Sequence, residues 1–196
     1  YDPKSTIGRP AIQGVVGAKW AKELGITRVY ILHDRELYGK GIAGVFEKSA
    51  KALGIEVVGI DGIDVKAANY KSLVTKIKQK NPQLVYFGGT TQSNAGQMAK
   101  DIVSGGLDVK IMSPDGTFEK AYIEAAGKAV LENRALITFG GVPAAELKGK
   151  GAEFYASYKK RFNAEPEAYA AYGYECAKVG LEAVKRAGKK DRKAIL

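Results

Sequence analysis

The stretch RVYILHDRELYGKGIAG, residues 28–44, decides how this chain is organised. Its first residues are rich in Val, Ile, Leu and Tyr, which favours a buried strand. A polar loop follows the strand, and Tyr38 with three closely spaced glycines then opens a segment whose apolar residues have helical spacing. A strand that leads through a polar loop into a helix is the repeating unit of a parallel sheet.

The same unit recurs along most of the chain. We predict strands at residues 28–32, 55–60, 84–87, 109–112 and 134–139, and helices that begin near residues 10, 39, 68, 92 and 117. Residues 1–8 are expected to be irregular, because Pro3 and Gly8 punctuate them. The predicted fold class is therefore α/β, a three-layer α/β/α lobe with a mostly parallel sheet over residues 8–141.

The alternation of strands and helices stops after Gly141. Residues 144–162 and 166–188 have the apolar spacing of two long helices, and a shorter helix begins near Asp191. We therefore treat residues 142–196 as a separate helical segment at the C-terminal side of the lobe. Its apolar faces are expected to pair with another copy of the chain, or to fold back, when no partner covers them.

Composition narrows the classes of function. The net charge of +10 raises the question of nucleic acid. Most basic residues are lysines scattered through predicted helices, whereas a nucleic-acid groove needs a contiguous stripe beside aromatic residues, so no nucleic-acid partner is expected.

Cys176 is the single cysteine, which excludes an intrachain disulfide, and we expect it to be a small buried hydrophobic residue. His33 is the single histidine, so neither a metal site nor a Ser-His-Asp triad is expected.

Two interpretations compete for the opening stretch: a nucleotide-binding glycine fingerprint, or the ligand-facing loop of a solute-binding lobe. Residues Gly39–Gly44 match the dinucleotide fingerprint G-x-G-x-x-G, and Asp61 lies near the position of a ribose-binding acid. In that motif the strand runs almost directly into the first glycine, whereas here the residues His33 to Tyr38 intervene. A nucleotide-dependent enzyme that uses Gly39–Gly44 remains the alternative hypothesis.

Parallel sheets bind ligands just beyond the carboxyl ends of their strands. The predicted strands place four loops there, at His33–Gly41, Asp61–Lys66, Gly88–Gln92 and Ser113–Thr117. These loops are where we look for a binding site. No pair of residues in them has the pattern of a nucleophile and its base.

Four residues in these loops are candidate ligand contacts. Tyr38 would supply a flat wall with a hydroxyl at its edge, which suits a small amphiphilic solute. Thr90 and Thr91 would supply hydroxyls at a helix start, although they would also serve as plain helix caps. Asp115 lies in a Pro-Asp-Gly turn, where its carboxylate could pair with a ligand ammonium or simply stabilise the turn.

Four segments carry a family resemblance: VYILHDRELYGKGIAGVFEKSAKALGIEVVG, LVYFGGTTQSNAGQMAKDIVSGGL, IMSPDG and EPEAYAAYGYECAKVGLEAVKRAG. Together they resemble the extracellular solute-binding proteins of branched-chain amino acid ABC transporters. The most specific parts are the D-x-x-x-Y-G run at 34–39 and the order of the segments. The resemblance implies a type I periplasmic-binding-protein fold, two α/β lobes hinged around a cleft, with no cofactor and no catalysis.

The resemblance also implies a function. Such proteins deliver an amino acid or a related solute to a membrane permease, and they are periplasmic or extracellular, with or without a lipid anchor. Tyr38 matches a tyrosine that contacts the ligand from the second lobe, and Asp115 matches an acidic residue that holds the α-ammonium. Thr90 stands where leucine-binding members carry a further tyrosine, which leaves the ligand of this chain open.

The resemblance finally implies that the chain is a fragment. The first lobe would precede Tyr1, the final strands would follow Leu196, and residues 142–196 would belong to that other lobe. A ligand-sensing receptor domain, coupled to signalling rather than to transport, would share these features.

Overall fold

The computed structural model describes the backbone from Pro3 to Leu196 and the side chains from Ile12 onward. The chain divides into two compact units, of which the first ends at Gly140 and the second runs from Gly141 to Leu196. The first unit contains a sheet with helices, and the second is helical.

The first unit is built on a five-stranded sheet in which every neighbouring pair of strands is parallel. The strands are β1 Arg28–His33, β2 Glu56–Gly62, β3 Leu84–Gly88, β4 Lys110–Ser113 and β5 Ala135–Ile137. Their order across the sheet is β2-β1-β3-β4-β5, so β1, β3 and β4 are adjacent. The central strand β3 is buried along its whole length, as expected for a parallel strand covered on both faces.

The helices of this unit are α1 Pro3–Glu23, α2 Leu37–Ala52, α3 Lys71–Gln79, α4 Ala95–Ser104, α5 Lys120–Ala126 and α6 Lys128–Leu131. Alternate residues of β1 enter different cores. Val29 and Ile31 join a cluster with α1 and α2, whereas Tyr30 and Leu32 join a cluster with α3 to α6. The two clusters lie on opposite faces of the sheet, so the unit has three layers: helices, sheet and helices. The predicted α/β class with a mostly parallel sheet is therefore confirmed.

Some predicted boundaries are wrong. Helix α1 begins at Pro3, so residues 3–8 are helical rather than irregular, while residues 1 and 2 lie outside the described residues. Proline is well tolerated in a first helical turn, which explains the earlier start. The helix predicted to begin near residue 117 is instead two short helices, α5 and α6, because the backbone at Gly127 has a φ of 89°.

The second unit contains α7 Lys150–Phe162, α8 Ala170–Ala187 and α9 Arg192–Ile195. Every residue of α7 and α8 is described, and none of them is buried. The two helices meet through aromatic side chains, with the ring centroids of Phe154 and Tyr174 5.0 Å apart. Cys176 lies on α8 and is exposed, so the expectation of a buried cysteine is wrong. The reason is that α8 has no covered face within its unit.

Candidate ligand-binding site

Three adjacent strands, β1, β3 and β4, end at the same edge of the sheet. Tyr38 lies in the first turn of α2 after β1, Thr90 and Thr91 follow β3, and Asp115 follows β4. All four predicted site residues are half-buried. This edge is where the strands of an open α/β sheet present their loops to a ligand.

Tyr38 and Asp115 are in direct contact. The Tyr38 hydroxyl donates a hydrogen bond to Oδ1 of Asp115 over 2.6 Å. Such a length is typical of a hydroxyl that donates to a charged carboxylate, which is among the stronger hydrogen bonds in proteins. The bond therefore joins the first turn of α2 to the loop after β4 and holds the Asp115 carboxylate in one orientation.

The loops after β3 and β4 also lie in contact. A Cβ atom at Gly116 would come within 2.8 Å of the Gly89 carbonyl oxygen and 2.9 Å of Cγ2 of Thr90, so only glycine fits at this position. The Thr91 hydroxyl oxygen lies 3.5 Å from the Gly116 carbonyl oxygen. Thr90 and Thr91 are thus next to the loop that carries Asp115.

Thr90 does not act as a helix cap. It precedes the short 3-10 turn Thr91–Ser93, but its side chain makes no capping hydrogen bond. Its hydroxyl lies instead 3.1 Å from the hydroxyl of Ser93. The alternative expectation, that the Thr90 side chain serves only as a helix cap, is therefore wrong.

Asp34 organises this part of the site and was missed by the sequence analysis. It is only 4% exposed, accepts a hydrogen bond from the Glu36 backbone N–H over 3.0 Å, and accepts another from the Ser93 hydroxyl over 2.7 Å. These bonds link the loop before Tyr38 to the loop that carries Thr90. The D-x-x-x-Y-G run contains Asp34, but nothing local in the sequence indicates the contact with Ser93.

Gln13 of α1 is a second residue that the sequence analysis missed. Its side chain is 5% exposed, and its Oε1 accepts hydrogen bonds from the Asp115 backbone N–H and the Thr138 hydroxyl, both over 3.1 Å. A buried amide oxygen with two donors is fully satisfied. Gln13 therefore fixes the backbone of the Asp115 loop through a hydrogen bond from α1. No spacing within the sequence could indicate this role.

Of the three glycines in the opening stretch, close packing requires Gly39 but not the other two. A Cβ atom at Gly39 would overlap the Asp34 carboxylate and the Gly88 carbonyl oxygen, whereas Gly41 and Gly44 have nothing within 4 Å of such an atom. Gly39 thus lets the first turn of α2 approach the end of β3. The Asp34 carboxylate already lies at the N-terminus of α2, where a phosphate would have to bind, so the nucleotide hypothesis is not favoured.

Asp61 is likewise engaged within the fold. It accepts a hydrogen bond from the Tyr30 hydroxyl and pairs with the Lys76 ammonium over 2.8 Å. Burial alone would raise the pKa of Asp61, but the hydrogen bonds from Lys76 and Tyr30 outweigh it and lower the pKa below its ordinary value. Burial and the Asp61 contact raise the pKa of Tyr30 to about 12. Asp61 is therefore a structural carboxylate rather than a partner for a ribose.

His33 ends β1, and its Nδ1 accepts a hydrogen bond from the Arg35 backbone N–H over 3.1 Å. Burial, with a smaller contribution from the charge of Lys40, lowers the pKa of His33. Among the described residues, no group of three or more His, Cys, Asp or Glu side chains is placed to hold a metal ion. Within the same part of the chain, no helix has both the length and the apolar character needed to cross a membrane.

The fold and the sequence together identify the class of protein. The model of the periplasmic binding protein family matches residues 5–196, and this chain belongs to that family. The resemblance noted from the four sequence segments is confirmed.

Individual relatives agree with the family. An amino acid binding protein of Pseudomonas aeruginosa is 30% identical over 188 residues, which cover 94% of this chain and 48% of that protein. A Leu/Ile/Val-binding protein homolog of Brucella abortus is 28% identical over 191 residues, which cover 97% of this chain and 50% of that protein. The chain therefore spans about half the length of the curated relatives that it matches.

The fold also has a counterpart among crystal structures. A leucine-binding protein from Thermotoga maritima superposes with a TM-score of 0.78 at 26% identity, over 94% of this chain and 52% of that protein. The type I periplasmic-binding-protein fold that the sequence predicts is thereby confirmed.

Proposed function

We propose that this chain forms one wall of the ligand cleft in a solute-binding protein that delivers a small solute to an ABC importer. The observation that carries this proposal is the hydrogen bond between Tyr38 and Asp115, which joins the first turn of α2 to the loop after β4 at the carboxyl edge of a parallel sheet. In the proposed mechanism the solute binds between two lobes, and the lobes close over it by a hinge motion. No bond is made or broken.

The ligand is an amino acid or a related compound. The Asp115 carboxylate is suited to an ammonium group, because a charge-assisted hydrogen bond to a cation is strong and directional. The Tyr38 bond holds that carboxylate in place before the ligand arrives, which lowers the entropy cost of binding. The names of the relatives from Pseudomonas aeruginosa and Brucella abortus support the same class of ligand.

The two compact units have different roles in this proposal. Residues up to about Gly141 form the second lobe, which presents Tyr38, Thr90, Thr91 and Asp115 to the cleft. Helices α7 and α8 belong to the other lobe and pack against a part of the protein that this chain does not contain. Their lack of any buried residue supports this assignment, since a long amphipathic helix gains its stability from a covered apolar face.

The proposed role places the protein outside the cytoplasm, in the periplasm or at the cell surface. Its macromolecular partner is the membrane permease of an ABC transporter. Solute delivery requires the two lobes together, so the isolated chain is expected to bind its ligand weakly or not at all.

Calorimetry on the full-length protein against a panel of the standard amino acids tests the proposal. For the amino acid that binds, Asp115→Ala and Tyr38→Ala should each weaken affinity by roughly 10–100-fold, because each removes a contact to a charged group. Asp108→Ala is the matched control, since the Asp108 side chain is 99% exposed. Equal affinities for wild type and Asp115→Ala would refute the site, and the absence of binding by every amino acid would refute the ligand class.

A further inference from the structure

Thr90, Ser93 and Asp34 form a chain of side-chain hydrogen bonds that runs from the half-buried surface of the site into the core. The Thr90 and Ser93 hydroxyl oxygens are 3.1 Å apart, and the Ser93 hydroxyl lies 2.7 Å from Oδ2 of Asp34. Ser93 and Asp34 are 8% and 4% exposed, so bulk water does not compete for these bonds. Geometry alone leaves open which hydroxyl of the first pair is the donor.

The chemistry of Asp34 determines the donor. A carboxylate has acceptor oxygens only, and a serine hydroxyl has a single hydrogen. Ser93 donates that hydrogen to Asp34, so toward Thr90 the Ser93 oxygen can act only as an acceptor. Thr90 must therefore donate its own hydrogen to Ser93, which leaves the lone pairs of the Thr90 oxygen directed away from the core.

We propose that Asp34, acting through Ser93, fixes Thr90 as a hydrogen-bond acceptor toward the ligand, so that this wall selects a solute that carries a donor group such as an ammonium. This inference rests on the proposed function, because it specifies the polarity of the same site. Asp34 is a positioning residue and does not touch the ligand. It acts through the direction of two hydroxyl hydrogens.

The neighbouring groups have the same polarity. The Tyr38 hydroxyl directs its hydrogen to Asp115, and the Thr91 hydroxyl directs its hydrogen toward the carbonyl oxygen of Gly116. The hydroxyl hydrogens of Tyr38 and Thr90 are thus committed to protein acceptors. A ligand carboxylate gains nothing from such a surface, whereas an ammonium finds oxygen atoms that accept its hydrogens.

The direction of the chain can be tested without any ligand. Neutron diffraction from crystals of the deuterium-exchanged full-length protein should place the Thr90 deuterium on the line to the Ser93 oxygen and the Ser93 deuterium on the line to Asp34. A Ser93 deuterium directed at Thr90 would overturn the inference. This measurement decides the polarity even if no amino acid binds and the proposed function fails.

The Asp34→Asn variant tests the consequence for binding. The side-chain amide of this variant can donate to Ser93, which frees the Ser93 hydrogen for Thr90 and lets Thr90 donate outward. The probes are the amino acid that binds best in the panel and its 2-hydroxy analogue, which lacks the ammonium. We expect the ratio of the Kd of the 2-hydroxy analogue to the Kd of the amino acid to fall by about tenfold in Asp34→Asn, the effect of one hydrogen bond to a charged group.

Three further variants separate polarity from structure. Ser93→Ala keeps the Asp34 carboxylate but removes the acceptor of the Thr90 hydrogen, and it should lower the ratio as Asp34→Asn does. In a Thr90→Val background, which lacks the hydroxyl, Asp34→Asn should leave the ratio unchanged. Asp101→Asn is the matched control, because Asp101 is also 4% exposed and accepts hydrogen bonds from the Tyr70 backbone and Gln97. A ratio that changes equally in Asp34→Asn and Asp101→Asn, or that still falls in the Thr90→Val background, would refute the proposal.

Discussion

The hydroxyl of Tyr38 donates to the carboxylate of Asp115 over 2.6 Å, and this bond joins the first turn of α2 to the loop after β4, between residues 77 positions apart in the sequence. Both side chains are half-buried at the carboxyl edge of the sheet. In the proposed site, Tyr38 supplies an aromatic wall and Asp115 a carboxylate held in one orientation. The pair is therefore a preorganised unit rather than two independent contacts.

The first prediction separates the ring of Tyr38 from its hydroxyl. Tyr38→Phe keeps the aromatic wall but no longer donates to Asp115, so the carboxylate loses a fixed orientation. Calorimetry on the full-length protein should show an affinity about tenfold weaker for the amino acid that binds. In an Asp115→Ala background the same change should have little effect. Additive losses in the double variant would show that the two residues do not act as a pair.

A second prediction concerns Tyr86, which stacks on Phe46 with ring centroids 3.9 Å apart. Its hydroxyl is buried and has no hydrogen-bond partner among the described residues, and burial raises its pKa far above the ordinary value. Tyr86→Phe removes an unsatisfied polar group and keeps the stack, so it should raise the free energy of unfolding by about 1 kcal/mol. Urea denaturation measures this change. A loss of stability would mean that the hydroxyl has a partner, such as an ordered water.

A third prediction uses two glycines with opposite surroundings. A Cβ atom at Gly88 would overlap the Gly39 carbonyl oxygen and come within 2.9 Å of the Ala43 side chain, so Gly88→Ala should cost about 1–3 kcal/mol of stability. Gly44 lies inside α2 with nothing within 4 Å of such an atom. Gly44→Ala should therefore stabilise the protein by about 0.5–1 kcal/mol.

Thermal or urea unfolding of the two variants checks these signs. Opposite signs for the two changes in stability are the expected result.

The fourth prediction concerns acid. The pKa of Asp61 in the folded protein lies below its ordinary value of 3.8, because the hydrogen bonds from Lys76 and Tyr30 outweigh the opposing effect of burial. Ionised Asp61 thus makes its full contribution to stability at pH values above 3.8. This contribution is lost as the pH falls through the lowered pKa of Asp61. Asp61→Asn should be less stable than wild type at neutral pH, and the difference should shrink on acidification. Urea denaturation at several pH values measures it, with the 99% exposed Asp108→Asn as control.

Much of the fold could be predicted from the sequence, because strand and helix periodicity is a local property. The parallel sheet followed from the repeated strand–loop–helix unit, and Tyr38 and Asp115 were selected because they lie beyond strand ends. The break at Gly127 was missed, because a single glycine within a helical pattern is compatible both with a continuous helix and with the positive φ found here. Asp34 and Gln13 were missed for a related reason, because buried polar residues gain their roles from partners that are distant in sequence.

The last prediction concerns the surface of α8. Leu181 and Val184 are 72% and 50% exposed, and together with the exposed Ala177 they have the i, i+4, i+7 spacing of one apolar helix face. An exposed apolar surface of this kind is favourable to bury, so the isolated chain should self-associate through it as the concentration rises. Light scattering should show a mass that increases with concentration, and Leu181→Lys with Val184→Lys should return the chain to a monomer. Thr75→Lys, at an exposed position on α3, is the control for the effect of added positive charge. A chain that remains monomeric at all concentrations and binds no hydrophobic dye would show that this face is covered from within.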